Sequence, residues 1–424
     1  MILGDSLSLF INGTKTNLSK QQTLDMVHLR AATLEYSCPM GVQIYVSDFF
    51  RRALIVFCLL VSAFRTCSAQ STNLPAQASV PGPRGRFLYA ATTDIQAILE
   101  FTIAPDGALI GPKYFPVPGS PAMVVADPGG KFLFAIEYGG ILTFAIDPSN
   151  GALTLVPSSY CCGDLLPPTA IGIDPNGNFL YVTFDDPGSP ALYSYRIDRS
   201  SGALTIVSGT GLYFAAAPQP TSIQTDALGK FVYLVDPASG VIAGYPVNLA
   251  NGQLGRALFP MPFAAGLGAT LISTSSNFLY VFARNQIANL IGYRIDETSG
   301  RLWPVPGALF TSHGRSWGNY MTIEPVHNVL YQPSGGSLAV YRLRKDGALR
   351  FQNLTAVGQA NTGSLLVDAS GTFLLAVGSS SGAEMAPLIL NSYRIHPITG
   401  DLEFVGQSST FSSLNNLASL AVAP

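Results

Sequence analysis

Charge is scarce in this chain. Asp, Glu, Lys and Arg make up 11% of its 424 residues, 23 basic against 25 acidic, for a formal net charge of −2. There is no basic stripe, which argues against nucleic-acid binding, because phosphate backbones are met by clustered cations. Histidine (4) and cysteine (5) are also few. No zinc spacing, Asp-x-Asp-x-Asp-Gly loop, phosphate-cradling glycine loop or nucleophile elbow occurs. His327 and His396 belong to no metal-spaced pair. The apolar run Ala53 to Ala63 covers 11 residues, short of the ~20 that a membrane-spanning helix needs.

What the chain does have is a repeat. One phrase recurs as Phe87-Leu88-Tyr89-Ala90, Phe132-Leu133-Phe134-Ala135, Phe179-Leu180-Tyr181-Val182 and Phe231-Val232-Tyr233-Leu234. It returns as Phe278-Leu279-Tyr280-Val281, Val329-Leu330-Tyr331-Gln332 and Phe373-Leu374-Leu375-Ala376. Successive copies start 45, 47, 52, 47, 51 and 44 residues apart. An apolar strand ending near Asp-Pro and a Gly/Asn hairpin precede the phrase, as in Val124 to Gly130. An alternating strand such as Leu192 to Ile197 follows, then a turn ending in Gly202, then a strand opening on Leu. The outer strands are expected to begin at Leu109, Leu153, Leu204, Leu254, Leu302, Leu349 and Leu402. Glycine and asparagine supply the positive φ of such turns. Four strands per unit at this period predict an all-β, seven-bladed β-propeller.

The first unit has no inner strand before Phe87, while the chain ends on an orphan one, Leu417 to Pro424. Closure of the ring by this C-terminal strand is expected, with Leu420 and Val422 pairing near Phe87 to Tyr89. Closure removes the open sheet edges that invite aggregation.

Residues 40–69 read as a secretory signal: Arg51-Arg52, the apolar run, and Cys67-Ser68-Ala69 as a cleavage site before Gln70. A single membrane anchor is the alternative. Residues 1–39 read as a mis-assigned extension before a start at Met40, 70–84 as a linker, and 85–424 as the propeller. The expectation is a periplasmic or extracellular, monomeric protein with no membrane span after processing. Cys161 and Cys162 would then be the remaining cysteines, either as a vicinal disulfide or as two thiols.

The combination Asp-Pro-x-Gly-x-Phe-Leu-Tyr-Val and Tyr-Arg-Ile-Asp-x-x-(Thr/Ser)-Gly-x-Leu resembles the seven-bladed lactonase family over about residues 82–424. That family includes 6-phosphogluconolactonase-type and muconate-lactonizing propellers. The resemblance implies a site on one mouth of the ring with His, Arg and Glu, and a Pro-Arg-His phrase before an inner strand. That phrase is missing here: the corresponding loops read Ser120-Pro121-Ala122, Pro168-Thr169-Ala170 and Trp317-Gly318-Asn319, for example.

Mouth loops are where a propeller concentrates chemistry. Hydrolysis of a lactone needs a base for water and a cation for the oxyanion. Glu137, His313 and Arg315 fit these roles, with Asp185, Asp236, Arg284, Trp317 and Tyr320 as ligand-binding candidates. Each competes with a plainer role as a turn cap, solvated charge or rim packing. Carboxylates around the channel (Asp94, Glu137, Asp185, Asp186, Asp236) could hold Ca²⁺, which takes six to eight oxygens. Two readings follow: an exported module binding a small molecule or an envelope protein, or a hydrolase of an unphosphorylated sugar or aliphatic lactone.

Overall fold

The computed structural model describes residues 6–11, 14–19 and 86–424, less the segments 158–166, 185–190, 213–219, 259–262, 266–268, 276, 284–289, 311–320, 335, 357–361, 380–387 and 409–418. Two compact units are present, Met1–Ala78 and Ser79–Pro424. In the first, Ser6–Ile11 pairs antiparallel with Thr14–Ser19. The expected signal segment and linker, and Cys161 and Cys162, lie outside the described residues.

The second unit is all-β among its described residues, with seven antiparallel sheets of four strands each. The inner strands are Met123–Ala126, Pro168–Ile173, Ser222–Thr225, Ala269–Ser275, Thr322–Glu324, Thr362–Val367 and Ser419–Ala423. Each lies beside the inner strands of both neighbouring sheets, and the cycle closes. The C-terminal strand supplies the inner position of blade one: Leu88 faces Val422 and Ala90 faces Leu420 in the register. The expected propeller and its closure are therefore observed.

Every phrase strand is buried on both faces because blades stack on either side of it. In blade one, Phe87, Tyr89 and Ala91 pack toward blade two, while Leu88 and Ala90 pack toward blade seven. The same alternation fills all seven seams with apolar clusters. A strand's period of two makes this assignment automatic once the register is set.

The remaining motif residues clasp one blade to the next. The turn glycine of each blade lies in left-handed backbone over the first phrase residue of the blade before. A Cβ on Gly300 (φ +70°) would come within 2.4 Å of the Phe231 ring, and one on Gly151 (φ +75°) within 2.5 Å of Phe87. Around the ring, Gly107 meets Phe373 in the same way. Four of the five phrase Tyr hydroxyls donate to the same glycines' carbonyls: Tyr89 to Gly151 (2.8 Å), Tyr233 to Gly300 (2.7 Å), Tyr280 to Gly347 (2.7 Å) and Tyr331 to Gly400 (2.8 Å). The arginine of Tyr-Arg-Ile completes the clasp. Arg394 lies over the Phe373 ring at 5.4 Å and donates to the Asp106 carbonyl at 3.0 Å.

The hairpin aspartates cap their own turns. Buried Asp174, Asp226 and Asp368 each accept the amide of the phrase Phe five residues on, at 2.7 Å. Asp368 and Asp127 also hold Arg86 and Arg199 from adjacent blades.

Blade four departs from expectation. Its outer strand is Phe263–Ala264, paired with Ile242 and Val241, and Leu254 makes only an isolated bridge to Val247. The third strand ends on Pro246, which has no N–H to offer an outer neighbour. The ladder therefore resumes only after a detour.

Candidate active site at the mouth of the ring

The phrase strands all end at the rim where chain enters the inner strands. The sixth position, counted from the phrase's first residue, is Thr92, Glu137, Phe184, Asp236, Ala283, Ser334 and Gly378 in blades one to seven. All seven are buried, yet their chemistry differs completely.

Glu137 closes the strand Phe132–Glu137 and faces Gly140 across a tight turn. It is 3% exposed. The crossover from blade one presses on it: a Cβ on Gly119 would stand 2.4 Å from Oε2, so a side chain there would displace the carboxylate. The Gly119 amide donates to the carboxylate, while Oε2 has no hydrogen-bond partner among the described residues. Burial pushes the Glu137 pKa above the usual carboxylate range, and the Gly119 amide offsets this only in part. Loss of water disfavours the charged form more than one amide restores it. The result is an under-solvated carboxylate at the rim, the environment that makes a carboxylate a stronger base.

Asp236 is fully buried and accepts from the Ser239 amide (3.0 Å) and hydroxyl and from the Ala238 amide (3.4 Å). It caps the turn that follows its strand. Asp94 is exposed, and its amide bonds Thr92 Oγ1 at 3.2 Å. Asp185, Asp186, Arg284, His313, Arg315, Trp317 and Tyr320 lie outside the described residues. Among the described residues no group of three His, Cys, Asp or Glu is placed to hold a metal ion.

Sequence reasoning passed over three rim residues. Tyr138 follows Glu137 in the two-residue turn before Gly140 and is 84% exposed. It carries no charge, the signal that marks candidates in the loops leaving the phrase strands. Gln332 and Ser334 lie in the blade-six strand Val329–Ser334. A column-by-column reading of the seven phrases would have found Gln332, which stands where the other blades have Ala, Val or Leu.

Comparison with known proteins agrees with this architecture. A family model described as "Lactonase, 7-bladed beta-propeller" matches residues 88–415. A 6-phosphogluconolactonase of Yersinia pestis is 26% identical over 255 residues, 58% of this chain and 75% of the relative. That of Yersinia enterocolitica is 24% identical over 239 residues, 55% and 70% of the two chains. Among solved structures, a periplasmic gluconolactonase of Pseudomonas aeruginosa superposes with TM-score 0.61 at 16% identity, covering 80% of this chain and 99% of that one. A Lactobacillus plantarum protein gives TM-score 0.61, also at 16% identity, over 80% and 99% of the chains.

Proposed function

Since the chain belongs to the seven-bladed β-propeller lactonase family, we propose that it hydrolyses an unphosphorylated sugar or aliphatic lactone at the mouth of the ring. The observation that carries this reading is Glu137: a rim carboxylate, desolvated, with one oxygen unpaired among the described residues. In this scheme its carboxylate takes a proton from water as the water oxygen bonds to the lactone carbonyl carbon. The tetrahedral intermediate collapses with cleavage of the ring C–O bond. His313 delivers a proton to the leaving alkoxide, and Arg315 or Arg284 carries the oxyanion, giving a hydroxy acid. Tyr138, exposed beside Glu137, adds an aromatic face for the ring of the substrate.

The preference for an uncharged substrate rests on the sixth-position ring, which holds two carboxylates and no cation. It also fits export from a start at Gln70, since phosphorylated sugars are held in the cytosol. The periplasmic gluconolactonase with this fold is in keeping with such a setting. A second reading, binding without turnover, is favoured by the missing Pro-Arg-His phrase.

The test is hydrolysis of a panel of sugar and aliphatic lactones, phosphorylated and not, by protein starting at Gln70, with and without Ca²⁺. Turnover above buffer that falls in Glu137→Gln and Arg315→Ala supports the hydrolase. No turnover on any substrate leaves the binding reading.

A further inference from the structure

Blade six breaks the repeat in the interior of a strand. The fourth phrase position is Ala90, Ala135, Val182, Leu234, Val281 and Ala376 in the other blades, and Gln332 here. Leu330 of the same strand packs in the seam with blade five, among Tyr280, Phe282, Leu290 and Met321. Residues two apart share a strand face, so Gln332 and then Ser334 follow Leu330 along that face toward the rim. Gln332 is 0% exposed and Ser334 5%. Neither Gln332 Oε1, Gln332 Nε2 nor Ser334 Oγ has a hydrogen-bond partner among the described residues. An unmet buried polar group opposes folding, and here three polar atoms stand in one row. Nothing in the fold asks for an amide at the fourth phrase position, because the six other blades close it with Ala, Val or Leu. Departures from an otherwise consistent pattern concentrate at functional sites. In sequence the strand is followed by Gly335-Gly336.

We infer that Gln332 and Ser334 form a neutral recognition subsite on blade six that reads a hydroxyl or carbonyl group of an uncharged, hydroxylated ligand. This rests on the reading of the mouth as a lactone site, though not on hydrolysis itself. The amide offers both donors and acceptors and the hydroxyl either role. Such a set pairs with an alcohol or ester oxygen and gives no charge to balance a phosphate. A site built to meet a hydroxyl rejects the analogue without it by large factors, because its own polar atoms then stay unpaired.

The experiment uses Gln332→Leu and Ser334→Ala, which place in blade six residue types that other blades carry. Two readouts are taken for each: the Tm shift given by a neutral sugar lactone and by its open hydroxy acid, and KM and kcat for a hydroxylated lactone against an unsubstituted aliphatic one. The expected result is a Gln332→Leu protein with unchanged or higher Tm that loses the ligand-induced shift. Its KM for the hydroxylated lactone rises at least tenfold, with little change for the aliphatic one. Equal ligand shifts and equal KM values in wild type and both variants would overturn the subsite, even with the hydrolase intact. A fall in Tm with unchanged KM would overturn it too, by assigning the amide to the fold. If wild type turns over nothing but keeps a ligand shift that Gln332→Leu loses, the hydrolase reading falls and the subsite stands. No ligand shift and no turnover in wild type would overturn both.

Discussion

The two ends of each blade follow opposite rules. At the turn end the same contact recurs around the ring: a left-handed glycine on the preceding blade's first phrase residue. A Tyr hydroxyl on the glycine carbonyl accompanies it in four seams, and Ser194 takes that role toward Gly252 at 2.8 Å. At the mouth end the equivalent position changes from blade to blade, and Glu137, Gln332 and Ser334 keep polar atoms unpaired among the described residues. The turn end repeats its contact, as a device for joining blades would, although the Tyr181 hydroxyl there has no partner among the described residues. The mouth end varies, as a site does. Recurrence in the sequence therefore marks the fold, and the proposed chemistry rests on its exceptions.

Breaking the closure should have the largest effect. Deleting Ser419–Ala423 opens the edge of Arg86–Ala91 and uncovers both of its seams. Loss of the cooperative unfolding transition and aggregation on size exclusion are expected. Next, Gly300→Ala must fit a Cβ 2.4 Å from Phe231 at φ +70°; a loss of about 2–4 kcal/mol follows from left-handed strain plus overpacking, measured by denaturant unfolding. Tyr233→Phe leaves the buried Gly300 carbonyl without its donor, and about 1–3 kcal/mol should be lost. The mouth should behave otherwise. Because the folded pKa of Glu137 is raised, the stability linked to it is complete below the unfolded carboxyl pKa and is lost as pH rises through the folded value. Glu137→Gln should thus be as stable as wild type or more so at neutral pH, with the difference vanishing in acid, as Tm measured against pH would show. A neutral-pH Tm well below that of wild type would make Glu137 a structural residue and erase the contrast.

The ring, its closure and six of the seven outer strands were legible because a period of two and a repeat near 47 residues depend only on local pattern. Blade four was misread at Leu254, since the Leu cue says nothing of the ladder interrupted by Pro246. Glu137 was legible as a rim carboxylate, but its burial under Gly119 was not, because that contact joins different blades. Asp236 resembled Glu137 in sequence, and only the hydrogen bonds from Ser239 and Ala238 distinguish a turn cap from an under-solvated carboxylate. Gln332 was written in the seven aligned phrases all along, where an amide in an aliphatic column is visible without any structure.

The central claim is that chemistry sits at the mouth on Glu137 while stability resides elsewhere. Its most direct test is buffer-corrected hydrolysis of a neutral sugar lactone at constant pH by wild type and Glu137→Gln, with the Tm of each recorded in the same buffer. The account predicts turnover by wild type and a fall of about 100-fold or more in the variant, at an equal or higher Tm. Equal turnover in the two proteins, or a loss that only tracks a lower Tm, would contradict it.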